Sequence, residues 1–174
     1  CRAVSDTESE GCIFGYTCIN DVTAIEIIGK DASFQQWTRA KSFDTFGVFG
    51  PVVATGLDPA TLSIRTVLND QQRQDYPVSD LIFQPSAIVS AISQDMTLHP
   101  GDVICCGTSV GVGSMKPGST VAVTIEGTRH REGLWNDEQV TSEHAVAFTV
   151  FVVCGPTYET CHLLRLSQLD NPLR

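Results

Sequence analysis

Basic residues are scarce in this chain of 174 residues. Eleven Lys and Arg stand against 20 Asp and Glu, which gives a formal net charge of −9 at pH 7. Proteins that bind nucleic acids use clustered Lys and Arg to replace the counterions of the phosphates. No such cluster occurs here, so the composition predicts no nucleic-acid partner.

Long apolar runs are absent as well. A helix that spans a bilayer needs about 20 consecutive apolar residues. The longest run, residues 146–153, is interrupted by Thr149 and predicts a buried strand. The first ten residues are polar and acidic, unlike a signal peptide. We therefore expect no membrane partner and a cytoplasmic protein.

The cysteines show no regular spacing and no C-x-x-C pair, so they predict neither a disulfide framework nor a zinc site. Their number is odd, and two of them are adjacent. We expect reduced thiols that serve mostly as small buried side chains. The seven are Cys1, Cys12, Cys18, Cys105, Cys106, Cys154 and Cys161.

Apolar periodicity predicts a mainly β fold with a few short helices. Strands are predicted over residues 12–19, 48–55, 62–68, 71–76, 103–106 and 120–126, with a hairpin turn at Asn69-Asp70. Helices are predicted at the capping box that starts with Ser5, over residues 23–30, and over residues 86–94 behind Pro85. Residues 29–40 are polar and predict a surface loop.

Asn20-Asp21 stands at the end of an otherwise apolar predicted strand. Carboxylate and amide oxygens are the ligands that hard cations such as Mg²⁺ prefer, so Asp21 is a candidate metal ligand. The alternative is a turn or a helix cap, where Asp and Asn are both common. A second acidic motif, Glu8-Ser9-Glu10, would place its carboxylates on different helix faces, and we expect them to be solvated.

Lys41 is flanked by aromatic residues, with Trp37 before it and Phe43 and Phe46 after it. A partly desolvated lysine can hold the negative charge of a substrate carboxylate or enolate. The alternative is a surface lysine whose aliphatic stem covers apolar neighbours.

A glycine-rich segment, residues 107–113, directly follows a predicted strand. Such a loop lets backbone N–H groups and the Thr108 hydroxyl approach an anion closely. It matches neither a dinucleotide-binding fingerprint nor a phosphate-binding P-loop. A tight connection between strands would use the same glycines.

Taken together and in order, these motifs resemble the C-terminal catalytic domain of the fumarylacetoacetate hydrolase family. The resemblance runs from about residue 12 to residue 127. It divides the chain into a partial catalytic domain, residues 1–127, and a divergent C-terminal extension, residues 128–174. The motifs that carry it are Gly15-Tyr16-Thr17, Asn20-Asp21-Val22-Thr23-Ala24, Lys41-Ser42-Phe43-Asp44-Thr45-Phe46 with Gly50-Pro51, Val78-Ser79-Asp80-Leu81-Ile82-Phe83, Thr97-Leu98 with Pro100-Gly101-Asp102, and Gly107-Thr108 with Gly111-Val112-Gly113.

The resemblance implies a rolled sandwich of mixed β-sheets that forms a homodimer. It implies a metal-dependent hydrolase or lyase that cleaves C–C bonds in acylpyruvate-type or dioxo acids through a metal-stabilised enolate, with Mg²⁺, Mn²⁺ or Ca²⁺. Other members decarboxylate or isomerise similar oxo acids. Asp21 matches a metal ligand, Lys41 matches the lysine that stabilises substrate charge, and Gly107 and Thr108 match the loop that binds the substrate carboxylate.

One departure from the family pattern concerns the other metal ligands. The family's upstream E-x-E would precede Cys1, and Glu8 and Glu10 fall where the family has an intervening helix. The resemblance therefore implies an N-terminally truncated, incomplete domain that is inactive by itself. Two alternatives stay open, a non-catalytic β domain that keeps the fold and dimer surface, and a metal-independent module that binds small acids.

Overall fold

The computed structural model describes residues 1–126 in full and the backbone of two later strands, residues 133–136 and 144–154. Two one-turn 3-10 helices, Pro59–Thr61 and Val78–Asp80, accompany the longer elements. The helices are α1 (Asp6–Glu10), α2 (Ile25–Ile28), α3 (Trp37–Lys41) and α4 (Pro85–Asp95). The strands are β1 (Ile13–Thr23), β2 (Val48–Ala54), β3 (Ser63–Leu68), β4 (Gln71–Pro77), β5 (Val103–Cys105), β6 (Gly113–Met115), β7 (Thr120–Glu126), β8 (Gly133–Asn136) and β9 (His144–Cys154).

The strands form two sheets. In the first, β9 pairs with β1 along one edge and with both β5 and β6 along the other, while β2 flanks β1. The second has the order β4-β3-β7-β8. Every ladder between described strands is antiparallel, so the mixed pairing that the resemblance implied is not found among them.

One core lies between the two sheets and is closed at one side by α4. In β7, Val121, Val123 and Ile125 alternate inward and are 2% exposed or less, and Ile64 of β3 is fully buried. Burying one such side chain stabilises the fold by about 1.5–3 kcal/mol. The first sheet contributes Tyr16, Val22, Ile104 and Met115 to the same core. The mainly β fold predicted from the sequence is confirmed.

Several local predictions are confirmed by the backbone. The Ser5 hydroxyl accepts a hydrogen bond from the Glu8 N–H, and the Glu8 carboxylate accepts one from the Ser5 N–H, which completes the capping box of α1. Asn69 and Asp70 both have left-handed φ values, 47° and 64°, as a tight hairpin turn requires. Pro85 opens α4.

Three predictions need correction, and a fourth concerns residues at the end of the chain. The polar residues 29–40 are not all loop, because α3 begins at Trp37, and the helix predicted over residues 23–30 is only one turn long. The five cysteines within residues 1–126 are free thiols, but of these only Cys106 is buried and Cys105 is exposed. The side chain of Cys154 and the whole of Cys161 lie outside the described part of the chain. The boundary predicted at residue 127 stays a prediction; β8 and β9, beyond it, pair with strands of residues 1–126.

Among the described residues, no helix has the length and apolar character needed to cross a membrane.

Candidate functional site

Strand β1 places Asn20 and Asp21 on opposite faces of the first sheet. Tyr16 and Val22 belong to the core between the sheets, and residues alternate along a strand, so Asn20 faces the core and Asp21 faces away from it. Asn20 is 3% exposed, and its Oδ1 atom has no hydrogen-bond partner among the side chains and backbone that the structure describes. The Asp21 side chain keeps 21% of its surface exposed. Asp21 lies two residues before the end of β1, not at the end that the sequence predicted.

Helix α3 brings Lys41 to Asp21. The Ala24 N–H, directly after β1, donates to the Ala40 carbonyl at 2.9 Å, and Ala40 is fully buried against this connection. Lys41 follows, and its Nζ forms an ion pair with Asp21 Oδ2. The Lys41 side chain is 35% exposed. The two candidates therefore form one charged pair at the outer face of the sheet.

Strand register places the glycine-rich loop two strands away from this pair. Cys105, which ends β5, pairs with Phe151 of β9, while Gly113, which begins β6, pairs with Val146. The loop thus joins two points on one edge of β9. Val22, the neighbour of Asp21, pairs with the same Val146 from the other edge. Two interstrand spacings of about 4.8 Å separate Val22 from Gly113 by about 10 Å.

Cys105 links the pair and the loop. Burial of its thiol is the main cause that raises the pKa of Cys105 to about 11, although the residue as a whole is exposed. The Asp21 carboxylate raises this pKa further, and the Lys41 ammonium lowers it. All three groups therefore share one electrostatic environment. Nothing in the sequence distinguishes Cys105 from the other cysteines, which are predicted to be small buried side chains.

Strand β4 holds the loop from its other side. Gln74 Nε2 lies 3.0 Å from Thr108 Oγ1, 3.0 Å from the Ser109 carbonyl oxygen and 3.2 Å from the Val110 carbonyl oxygen. Arg73 donates to the carbonyl oxygens of Gly111 and Val112, each at 3.4 Å. Neither Arg73 nor Gln74 was a predicted site residue. The only signal in the sequence concerns Gln74, which stands two residues before the buried Tyr76. Because side chains alternate along a strand, this polar residue shares the inward face of β4 with Tyr76.

Gly107 and Thr108 line a cavity of about 560 Å³. Apolar side chains dominate its remaining wall, with Ile82 and Phe83 at its exposed margin. Tyr76 also lines it, and burial raises the pKa of the Tyr76 phenol against the opposite effect of hydrogen bonds to Thr108 and Ser109. Asp21 and Lys41 are not part of this wall.

A larger cavity of about 730 Å³ lies at the start of β1 and contains none of the predicted site residues. Tyr16 forms part of its wall together with the acidic residues Glu10 and Asp58. Burial, and after it the charges around Tyr16, raise the pKa of the Tyr16 phenol to about 12.

The described residues supply only part of a metal site. Within residues 1–126, no group of three or more His, Cys, Asp and Glu side chains is placed to hold a metal ion. Asp21 offers one carboxylate, and the Glu8 carboxylate is engaged by the N–H and hydroxyl of Ser5. Hard cations such as Mg²⁺ take six oxygen ligands. These residues therefore do not by themselves fit a complete divalent-cation site.

Comparison with known proteins gives consistent matches over the described residues. The family model for the C-terminal domain of fumarylacetoacetate (FAA) hydrolase matches residues 1–133. An uncharacterized protein of Archaeoglobus fulgidus is 49% identical over 126 residues, which are 72% of this chain and 49% of that protein.

Two solved structures show the same fold. The 5-carboxymethyl-2-hydroxymuconate delta-isomerase of Mycobacterium smegmatis is 41% identical, with a TM-score of 0.71 over 77% of this chain and 51% of that one. The maleylpyruvate hydrolase of Sphingobium sp. SYK-6, in complex with manganese(II) and pyruvate, is 30% identical, with a TM-score of 0.67 over 78% and 48%. The chain thus spans about half the length of these relatives.

Proposed function

The chain belongs to the fumarylacetoacetate hydrolase family, and on this basis we propose that its site binds and transforms a small dioxo or acylpyruvate-type acid with the help of a divalent cation. The observation that carries the proposal is the Asp21–Lys41 ion pair, which lies two strands away from the loop that contains Thr108. C–C bond hydrolysis is the proposed reaction. One similar protein is an isomerase and another a hydrolase, and both act on related acids.

We assign Asp21 as one ligand of the cation, which is Mg²⁺ or Mn²⁺, with Ca²⁺ as a third candidate. The maleylpyruvate hydrolase structure, which is in complex with manganese(II) and pyruvate, supports the choice of a divalent cation. Further oxygen ligands must come from outside the described residues, because those residues place no group of three or more His, Cys, Asp and Glu side chains around a metal position. When bound, such an ion supplies Lewis-acid chemistry to the oxygens of an oxo acid.

Lys41 is proposed to hold negative charge on the reacting acid. Its ammonium already lies beside one carboxylate, and about a third of its side chain is exposed. A second anion can therefore approach it without unfolding α3. A fixed positive charge placed where an enolate develops stabilises the transition state more than the ground state.

The loop is proposed to bind the carboxylate of the acid. Gly107 has φ +96°, and apart from its chain neighbours no atom of the described residues lies within 4 Å of the position of a Cβ, so an anion can approach the backbone there. Thr108, an exposed residue, lies beside it. The separation of about 10 Å between the strands that carry Asp21 and the loop leaves room for an acid whose two ends are held separately.

A titration of the chain with Mn²⁺ and Mg²⁺ by calorimetry, with and without oxalate, tests the proposal. Oxalate carries two adjacent carboxylates and serves as the enolate mimic. The proposal predicts cation binding that oxalate tightens, and Asp21→Asn should remove both effects. Absence of heat with millimolar cation, both with and without oxalate, contradicts it.

A second candidate function is metal-independent binding of a small acid by the loop. It is favoured by the cavity at Gly107 and Thr108, whose wall does not include Asp21. Oxalate binding in the presence of EDTA would support this candidate, and loss of that binding in EDTA would support the first. Homodimer formation and a cytoplasmic location stay predictions, the first of which sedimentation of the purified chain can test.

A further inference from the structure

The side chain of Gln74 is almost completely buried and is shared between two elements. It is 3% exposed, its Nε2 faces the loop, and its Oε1 accepts from Thr66 Oγ1 of β3 at 3.3 Å. Thr66 is itself fully buried. One amide therefore connects the second sheet to three consecutive loop residues, Thr108, Ser109 and Val110.

The partners of Gln74 determine which end of its amide faces the loop. Carbonyl oxygens can only accept hydrogen bonds, and two of them, from Ser109 and Val110, surround this end. The end of the amide that faces these carbonyl oxygens must therefore be the NH₂ group. The two protons of this group are shared among three acceptors, of which Thr108 Oγ1 is one, so the hydroxyl proton of Thr108 points to a different acceptor.

The protein acceptors near that proton are neutral oxygens. One is the carbonyl oxygen of Ser109, its own neighbour, at the long distance of 3.4 Å, and the other is the phenol of Tyr76, which also hydrogen-bonds with Thr108. A carboxylate oxygen of a bound acid offers a stronger, charge-assisted bond. Gln74 thus keeps Thr108 oriented as a donor before any acid arrives.

The loop is also packed closely against the backbone of β4. A Cβ at Gly111 would lie 2.0 Å from the carbonyl oxygen of Arg73, so only glycine permits this approach. The contact fixes the far end of the loop, while Gln74 fixes the end that carries Thr108. The loop therefore has two attachments on adjacent residues of one strand.

We propose that Gln74 is a positioning residue, which holds the loop and orients the Thr108 hydroxyl to donate to the carboxylate of the substrate. The inference rests on the proposed function for its substrate. Its structural part, the ordering of residues 107–112 by the Gln74 amide, holds independently of any ligand.

Gln74→Met tests both parts, because it retains the length of the side chain and removes its hydrogen bonds. Amide hydrogen exchange of residues 107–112, measured without ligand, should accelerate at least about tenfold. The Kd of oxalate in the presence of Mn²⁺ should rise by about the same factor, while the Kd of Mn²⁺ alone should stay within about twofold. Gln72→Met is the matched control, since Gln72 is exposed on the same strand and donates only to Asp75 in the described structure.

A second variant gives a readout that a purely structural role would not produce. Gln74→Glu places a carboxylate against the carbonyl oxygens of Ser109 and Val110 at neutral pH, which frees the loop. Protonation at low pH restores one donor, so the exchange of residues 107–112, divided by that of the unaltered chain at the same pH, should fall again as the pH falls through the pKa of this glutamate. If Gln74→Met does not fold, the pH dependence of exchange in Gln74→Glu decides whether Gln74 orders the loop.

The possible results separate the two proposals. Unchanged loop exchange in a folded Gln74→Met protein, or equal acceleration in Gln72→Met, overturns the role of Gln74. Failure of the unaltered chain to bind oxalate overturns the proposed function instead, and the exchange measurements still decide whether Gln74 orders the loop.

Discussion

The ammonium of Lys41 forms an ion pair with the carboxylate of Asp21, although one residue ends a short helix and the other lies inside a long strand. The pair joins the two charged groups that the family motifs single out. It is partly exposed, and ion pairs of this kind contribute only about 0–1 kcal/mol, so a cation or an anion can compete with either partner.

Replacement of Lys41 by Met should change two properties in opposite directions. The ammonium repels a divalent cation at Asp21, so Lys41→Met should tighten Mn²⁺ binding by a few-fold, about 0.5–1 kcal/mol. The same change should lower the affinity for oxalate at constant Mn²⁺, because a positive charge near the acid is lost. Calorimetric titrations measure both. Lys30→Met, at an exposed position, has the same effect on net charge and should change neither.

Replacement of Asp21 by Asn should remove the affinity for Mn²⁺ by more than tenfold. The carboxylate supplies the charge that a hard cation requires, and an amide oxygen supplies only a dipole. Asp44→Asn is the matched control, since Asp44 is exposed in the same region and equally lowers the negative charge. Equal Mn²⁺ affinities of Asp21→Asn and the unaltered chain would show that Asp21 is not a ligand.

The thiol of Cys105 should report on the ion pair through its alkylation rate. Its pKa of about 11 keeps it protonated near pH 8, so iodoacetamide should react slowly, and the rate should rise with pH up to about pH 11. Asp21→Asn removes a charge that raises this pKa and should accelerate the reaction at pH 8. Lys41→Met removes a charge that lowers it and should slow the reaction. Peptide mass spectrometry resolves Cys105 from the other thiols.

Thr108→Val should weaken oxalate binding about tenfold while Mn²⁺ binding alone stays unchanged. The substitution keeps the side-chain volume and removes the one hydroxyl proton offered to the acid. Ser109→Ala is the control, because Ser109 contacts Gln74 through its carbonyl oxygen, which this change retains. A larger loss of binding in Ser109→Ala than in Thr108→Val would contradict the role of the threonine hydroxyl.

The sequence predicted the individual candidate site residues better than it predicted which of them lie close together. Asp21, Lys41 and Thr108 each stand in a motif that can be read locally. Their arrangement depends on pairings between distant segments, such as that of β9 with β1, β5 and β6. The apolar run at residues 146–153 predicted a strand, but nothing in it indicates that this strand separates Asp21 from the loop.

Two differences from the sequence-based expectations have the same physical origin: helix α3 forms where a loop was predicted, and Gln74 was not predicted as a site residue. Helix α3 is a single polar turn without a side-chain cap, and it is fixed by the Ala24–Ala40 hydrogen bond and the burial of Ala40. Local propensity carries no signal for such a helix. Gln74 stands in a strand where most residues are polar, so only the register of β4 distinguishes it as buried.

Gly111→Ala should displace the loop from β4, so that the Gln74 amide no longer orders residues 107–112. The φ of Gly111 is +100°, which costs an alanine about 1 kcal/mol or more, and its Cβ would also collide with the carbonyl oxygen of Arg73. Gly118→Ala is the matched control, since Gly118 has φ +81° and, in the part of the chain that the structure describes, only its chain neighbours lie within 4 Å of a Cβ there. Both variants should lower the unfolding temperature, and only Gly111→Ala should also accelerate hydrogen exchange of residues 107–112 and weaken oxalate binding. Equal behaviour of the two alanine variants would mean that backbone strain, and not contact with β4, sets the conformation of the loop.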